Sequence, residues 1–278
     1  MQIIRTTAEL RSILDPARCQ GKTVGAVGTS GAMHEGHLSL IRRSAAENDI
    51  NMLFWGGAPS DLGWKTASMS YERDPLRDFP LAEAAGCQLL FAPSASELYK
   101  RKPITEVTLP EMSRDVPHLE DPAHLDLIAK VICKIWNRIG PCKMYFGEKD
   151  WQQLVMFQRL ALDLDFPVEV IGSPTIRDDD GLATSSRNGQ LNPEDRVKAP
   201  IFYKALLAVD DVAKGGERSV AALETIFRKM IGDVGTIRYF TVVENDAMIP
   251  LTEISGPVRV LASLQLGNTR LLDNIGIG

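Results

Sequence analysis

The run Val24-Gly25-Ala26-Val27-Gly28-Thr29-Ser30-Gly31-Ala32-Met33-His34-Glu35-Gly36-His37 constrains this chain more than any other segment. Residues 22–27 are apolar enough for a short buried strand, and residues 28–31 supply the backbone freedom of a tight turn. Leu38, Leu40 and Ile41 then begin a helical pattern that runs to about Glu47. A strand that ends in a glycine turn and feeds a helix forms an anion site, because unpaired N–H groups and the positive end of the helix dipole face one point. Histidines beside that point can donate hydrogen bonds to a phosphate as its charge develops, and Gly36 between them lets a ligand approach the backbone. On its own the pair reads more simply as two surface histidines on an ordinary turn. A zinc pair is the weakest reading, because the spacing is i, i+3 and no cysteine is near.

The same alternation continues along the chain. Residues 3–4 read as a short strand, and a helix opens at Thr7 with a cap at Thr6 or Thr7. Buried strands follow at 50–55 and 87–91, with a helix at 78–85 between them and a loop by composition at Gly56-Gly57-Ala58-Pro59. Residues 106–109 read as an edge strand. Residues 125–138 form a strong helix, with Leu125, Ile128, Ala129, Ile132, Ile135 and Trp136 on one face. A strand at 143–146, a helix at 151–162 and a strand at 168–171 complete the series. This rhythm predicts an α/β fold, a doubly wound, Rossmann-like parallel sheet, with ligands at the carboxyl ends of its strands. Composition then shifts at the polar, turn-rich segments 177–181 and 185–189. Two helices (about 193–213 and 219–231), strands at 237–243 and 258–264 and a closing segment at 266–274 point to a smaller α+β domain. The expected domains are therefore 1–174 and 175–278.

The 278 residues suffice for one large or two medium domains. Lys+Arg 31 against Asp+Glu 36 gives a net charge of −5, which argues against nucleic acid or an anionic membrane as the main partner. Cys19, Cys87, Cys133 and Cys142 show no metal-like spacing and read as reduced packing residues. With neither a signal-peptide profile nor an apolar run of spanning length, the expected location is cytoplasmic.

Two further segments carry chemistry. In Phe146-Gly147-Glu148-Lys149-Asp150-Trp151-Gln152-Gln153 a lysine at the end of a parallel strand can reach a nucleotide phosphate or ribose, and Gln153 can fix a polar substrate. Asp150 as a plain helix cap explains the segment equally well. In Asp180-Gly181-Leu182-Ala183-Thr184-Ser185-Ser186-Arg187-Asn188, two hydroxyls and a guanidinium suit phosphate oxygens, although a solvated loop is the commoner fate of such composition.

Taken together, the three segments resemble the pantothenate synthetase (pantoate–β-alanine ligase) family of the HxGH nucleotidyltransferase superfamily. His34-Glu35-Gly36-His37 supplies the HxGH element, and the similarity runs from Ile3-Ile4 to Arg270-Leu271-Leu272-Asp273-Asn274. The resemblance implies an ATP-dependent, AMP-forming ligase that activates a small carboxylic acid as an acyl-adenylate and condenses it with an amine. By matching position it implies that His34 and His37 act on the ATP phosphates. Gly36, Gly147, Lys149 and Asp150 would contact the nucleotide, Ser185, Ser186 and Arg187 the phosphates, and Gln153 the acid. Mg2+ and a homodimer are implied in the same way; the metal ligands are not.

The chain also departs from the family's pattern. Pro-Thr-Met-Gly is here Gly28-Thr29-Ser30-Gly31, so Thr29 and Ser30 border the acid without the family's methionine. The Phe-Val-Asn-Pro-x-Gln-Phe segment falls near residues 54–60, where the asparagine and acid-binding glutamine are missing and Trp55 offers an apolar wall. In the Arg-Pro-Gly-His-Phe-x-Gly-Val segment His124 is kept, while Asp121 replaces the arginine and Leu127 the later glycine. Losing groups that bond substrate hydroxyls weakens or redirects specificity. The expectation is thus a ligase of this family whose acid, amine or both differ from pantoate and β-alanine. The alternatives are the family's own reaction, an inactive nucleotide-binding homologue, and nucleotidyl transfer to a phosphorylated substrate.

Overall fold

Strands β1 (Gln2–Ile4), β2 (Val24–Thr29), β3 (Ile50–Trp55), β4 (Leu89–Phe91), β5 (Cys142–Gly147) and β6 (Val168–Ser173) pair in parallel in the order β1-β4-β3-β2-β5-β6. The structure, a computed structural model, describes residues 1–56, 74–101, 103–109 and 123–278, with only the backbone of Ala123 and His124. Helices α1 (Thr7–Cys19), α2 (Glu35–Glu47), α3 (Pro75–Ala84), α4 (Ala95–Leu98), α5 (Ala123–Ile139) and α6 (Trp151–Asp163) alternate with these strands. Thr6 caps α1 in a reciprocal box with Glu9.

The central strands are continuous apolar runs because both of their faces are covered. On one face Val27, Leu53, Leu90 and Tyr145 pack with Leu40, Ile41 and Ala82. On the other, the Trp136 indole donates to Met144 Sδ at 3.0 Å and meets the rings of Phe157 and Phe166 edge-on. This is the doubly wound sheet expected from the sequence. Helix α2 lies so close to β2 that a Cβ on Gly25 would fall 2.3 Å from Ser44 Oγ and 2.5 Å from Asn48 Nδ2.

Residues 106–109, expected as an edge strand, have no regular structure. The Leu109 N–H donates to the Asp126 carboxylate at 3.0 Å instead of to a strand, and β1 and β6 hold the two edges.

The described residues form two compact units. The first lies within Met1–Leu109, Asp121–Glu148 and Met156–Pro174; the second includes Lys149–Val155 and Thr175–Gly278. In the second, α7 (Pro193–Lys198), α8 (Ile201–Lys214) and α9 (Val220–Ile231) accompany an antiparallel sheet of β7 (Thr236–Glu244), β8 (Val258–Leu266) and β9 (Thr269–Ile277). Phe202, Leu206, Val209, Leu223, Phe227, Val260 and Leu264 fill its core. The helix expected over 193–213 is two helices, interrupted at Ala199 and Pro200, because proline has no N–H to carry the ladder through. All four cysteines are free thiols, with Cys87, Cys133 and Cys142 buried and Cys19 exposed. Burial pushes the Cys142 thiol up to about 12 and the Cys87 thiol up to about 11, which suits packing residues.

Candidate active site

The strand order makes β2 the place where the sheet changes direction: from β2 the chain builds β3 and β4 on one side, then adds β5 on the other. Carboxyl ends diverge at such a point and leave a crevice. Out of β2 the chain turns through Gly31 and Ala32, both at positive φ (109° and 53°). The Thr29 hydroxyl accepts the Gly31 N–H at 3.2 Å, and the Met33 N–H donates to Asp78 Oδ1 at 3.1 Å. Ser30 lies within this turn, half-buried.

His34 is the N-cap of α2. Its Nδ1 accepts the Gly36 N–H at 3.1 Å, while the His34 N–H points at His37 Nδ1 at the longer distance of 3.4 Å. The two half-buried rings stand 4.1 Å apart at 48°. A neutral imidazole that accepts at Nδ1 carries its proton on Nε2, so backbone bonding assigns both rings as Nε2–H donors. Gly36 also makes room for the His34 ring. A Cβ there would lie 2.9 Å from His34 Cε1. Nearby, the Arg42 guanidinium bonds Glu35 and holds its carboxyl below the usual carboxylate range.

At the end of β3, Trp55 is 9% exposed. Its indole donates to Asp78 Oδ2 at 3.1 Å, and its ring meets Phe79 edge-on at 5.2 Å. Sequence reasoning passed over Asp78, which is fully buried and also accepts from Arg77 at 2.9 and 3.2 Å. No local pattern marks such a residue, because its partner Met33 lies 45 positions away.

Gly147 ends β5 opposite Ser173, with no atom within 4 Å of where its Cβ would be. A 3-10 turn (Glu148–Asp150) then leads into α6. Within the second unit, the Lys149 side chain is 16% exposed with its Nζ 3.8 Å from Asp150, and its carbonyl accepts Asn274 Nδ2 at 2.8 Å. Asn274 Oδ1 in turn accepts Arg259 Nε at 2.7 Å, and that guanidinium lies 3.7 Å from the centre of the Trp151 ring.

The loop that carries the two serines is braced from β9. Arg177 makes a bidentate pair with Asp273 at 2.6 and 2.9 Å, donates to the Gly181 carbonyl at 3.2 Å, and stacks 3.5 Å over Tyr203. Gly181 has φ 93°, and a Cβ there would strike Tyr203 at 2.9 Å. Arg196 bonds both Asp178 and Asp180, and its guanidinium lowers the Asp180 pKa. Ser185 caps the short 3-10 turn Ser186–Gln190 by accepting the Arg187 N–H at 3.3 Å.

Lys149, Ser185, Arg187 and Arg270 line one cavity of about 10 Å³, room for about one water. The structure thus brings the lysine of one motif to the serine and arginine of another, and adds Arg270, to which no role was assigned from sequence. Burial pushes the pKa of the nearby Tyr239 hydroxyl up; Arg270, Asp150 and Arg187 also act on it. Gln153 is half-buried on α6. Asp121 and the His124 side chain lie outside the described residues. Among the described residues no group of three His, Cys, Asp or Glu could hold a metal ion, and no helix is long and apolar enough to cross a membrane.

A family model described as pantoate-beta-alanine ligase matches residues 2–276. Pantothenate synthetase 1 of Frankia alni is 41% identical over 280 residues, which cover 97% of this chain and 96% of that protein. Pantothenate synthetase of Brucella anthropi is 40% identical over 277 residues, covering 99% and 96%. A crystal structure of pantothenate synthetase from Thermus thermophilus superposes with a TM-score of 0.89 at 36% identity, covering 99% of each chain.

Proposed function

Because the chain belongs to the pantoate-beta-alanine ligase family, we propose that it condenses pantoate with β-alanine, converting ATP to AMP and pyrophosphate. The observation that carries this reading is the near-complete coverage at about 40% identity by relatives named pantothenate synthetase. That likeness favours the family's own substrates over the altered pair expected from residues 28–31, 54–60 and 121–128.

In the first step a pantoate carboxylate oxygen attacks the α-phosphorus of ATP, the bond to the bridging oxygen breaks, and pyrophosphate leaves. Charge grows on the α-phosphate oxygens, where Nε2–H donors of His34 and His37 stabilise it. Gly36, Gly147, Lys149 and Asp150 contact the nucleotide, and Ser185, Ser186 and Arg187 bind phosphate oxygens. Thr29, Ser30, Trp55, Asp121, His124 and Gln153 serve the acid. In the second step the β-alanine nitrogen attacks the acyl carbon, the bond to AMP breaks, and the amine loses its proton. Mg2+ would neutralise triphosphate charge when bound. A cytoplasmic homodimer completes the proposal, with residues 149–155 grouped with 175–278 rather than with the rest of 1–174.

Pyrophosphate release and amide formation across a panel of acids and amines test it. Pantoate with β-alanine should be fastest. Another pair preferred by about tenfold or more in kcat/KM would return the altered-substrate reading, and ATP binding without turnover would mark an inactive homologue.

A further inference from the structure

Asp78 joins three parts of the first unit through a single carboxylate. It is 0% exposed. Its Oδ1 accepts the Met33 N–H at 3.1 Å and the Arg77 guanidinium at 2.9 and 3.2 Å, and its Oδ2 accepts the Trp55 indole at 3.1 Å. Met33 directly precedes His34, and Trp55 is the last residue of β3. Ala32, with φ 53°, is a non-glycine residue in a left-handed conformation that persists only where its surroundings fix it. The Thr29–Gly31 bond fixes that turn on one side and the Met33–Asp78 bond on the other.

We propose that Asp78 is a positioning residue for adenylation: it sets where the histidine turn starts and the plane in which Trp55 lies, and through Met33 it orients the two Nε2–H donors. Arg77 balances the carboxylate from the solvent side, with 49% of its side chain exposed. A carboxylate suits this place because both of its oxygens accept, and the backbone N–H and the indole N–H are both donors. An amide offers one acceptor and one donor. In Asp78→Asn the oxygen can serve Met33 and Arg77 only if the NH2 faces the Trp55 N–H, donor against donor.

The rate readout of the test rests on the proposed function; the binding readout does not. Asp78→Asn, Trp55→Phe and the double variant are compared with wild type for pantoate-dependent pyrophosphate release, thermal melting, and calorimetric affinity for a non-hydrolysable ATP analogue. Asp78→Asn should lower kcat by about tenfold or more while KM for pantoate changes less, because misplacing a reacting group acts on the transition state. Trp55→Phe alone should cost about threefold in kcat. Removing the indole N–H ends the donor conflict, so the double variant should be at least about threefold faster than Asp78→Asn. A role confined to stability would shift melting and leave kcat per folded molecule unchanged. Folded single variants with wild-type kcat, or a double variant no better than Asp78→Asn, overturn the proposal. If Asp78→Asn does not fold, Trp55→Phe decides, and wild-type kcat there overturns it. If the wild type releases no pyrophosphate with pantoate, the substrate reading fails, and affinity decides on Asp78. A loss of about tenfold, partly restored in the double variant, then supports the positioning role, and unchanged affinity overturns it.

Discussion

At Gly36 there is no room for even a methyl group, because the His34 ring occupies the space a Cβ would take, 2.9 Å away. Gly36→Ala must therefore push the His34 ring off its bond to the residue 36 N–H. The expected result is a fall in kcat of about tenfold or more with a melting temperature within a few degrees of wild type, read by steady-state kinetics and calorimetry. The histidine pair was legible in the sequence, because it follows a strand and a glycine turn within a few residues of each other. Its tautomers were not, since they depend on which N–H each Nδ1 accepts. Asp78 and Asn274 were illegible as functional residues for a related reason. Each acts on a partner far along the chain, at separations of 45 and 125 residues, and neither stands in a pattern of its own.

Among the elements, β2 and α2 are packed closely at Gly25. Gly25→Ala would place a methyl group on Ser44 Oγ, within α2, and on Asn48 Nδ2, which caps that helix and donates to the Ser44 carbonyl and the Tyr145 hydroxyl, each at 2.9 Å. Overpacking of this kind costs about 1–3 kcal/mol, which chemical denaturation should read as a lower midpoint at an unchanged slope. The central strands were easy to recognise because burial on both faces leaves continuous apolar runs such as Met52-Leu53-Phe54. Residues 106–109 misled because Val107 and Leu109 alternate as a strand would, while the Leu109 N–H is taken by Asp126. Strand β9 was hidden by the opposite effect. Its buried positions include Thr269, Asp273 and Asn274, polar residues that break the expected alternation; Asp273 holds the loop through Arg177, and Asn274 holds Lys149.

On the scale of the whole molecule, each unit has its own core, and the second also carries an ion pair whose carboxylate, Asp273, is buried. Removing one partner of such a pair leaves an uncompensated buried charge, at about 3–5 kcal/mol. Arg177→Met should therefore destabilise the protein by about 3 kcal/mol or more, whereas Arg177→Met combined with Asp273→Leu should recover part of that loss, as urea unfolding would show. The parallel sheet and the α+β second unit were legible from the order of strands and helices. The company of Lys149 was not, because residues 149–155 belong with a unit whose remaining described residues begin at 175. The bond from Asn274 to the Lys149 carbonyl also bears on synthesis. A ribosome can release strands β1 to β6 and let the sheet close, yet the lysine acquires this support only after residue 274 has emerged. Nascent chains stopped short of that point lack the bond, so the order in which the polypeptide is made leaves the Lys149 carbonyl without this donor until the last strand has emerged.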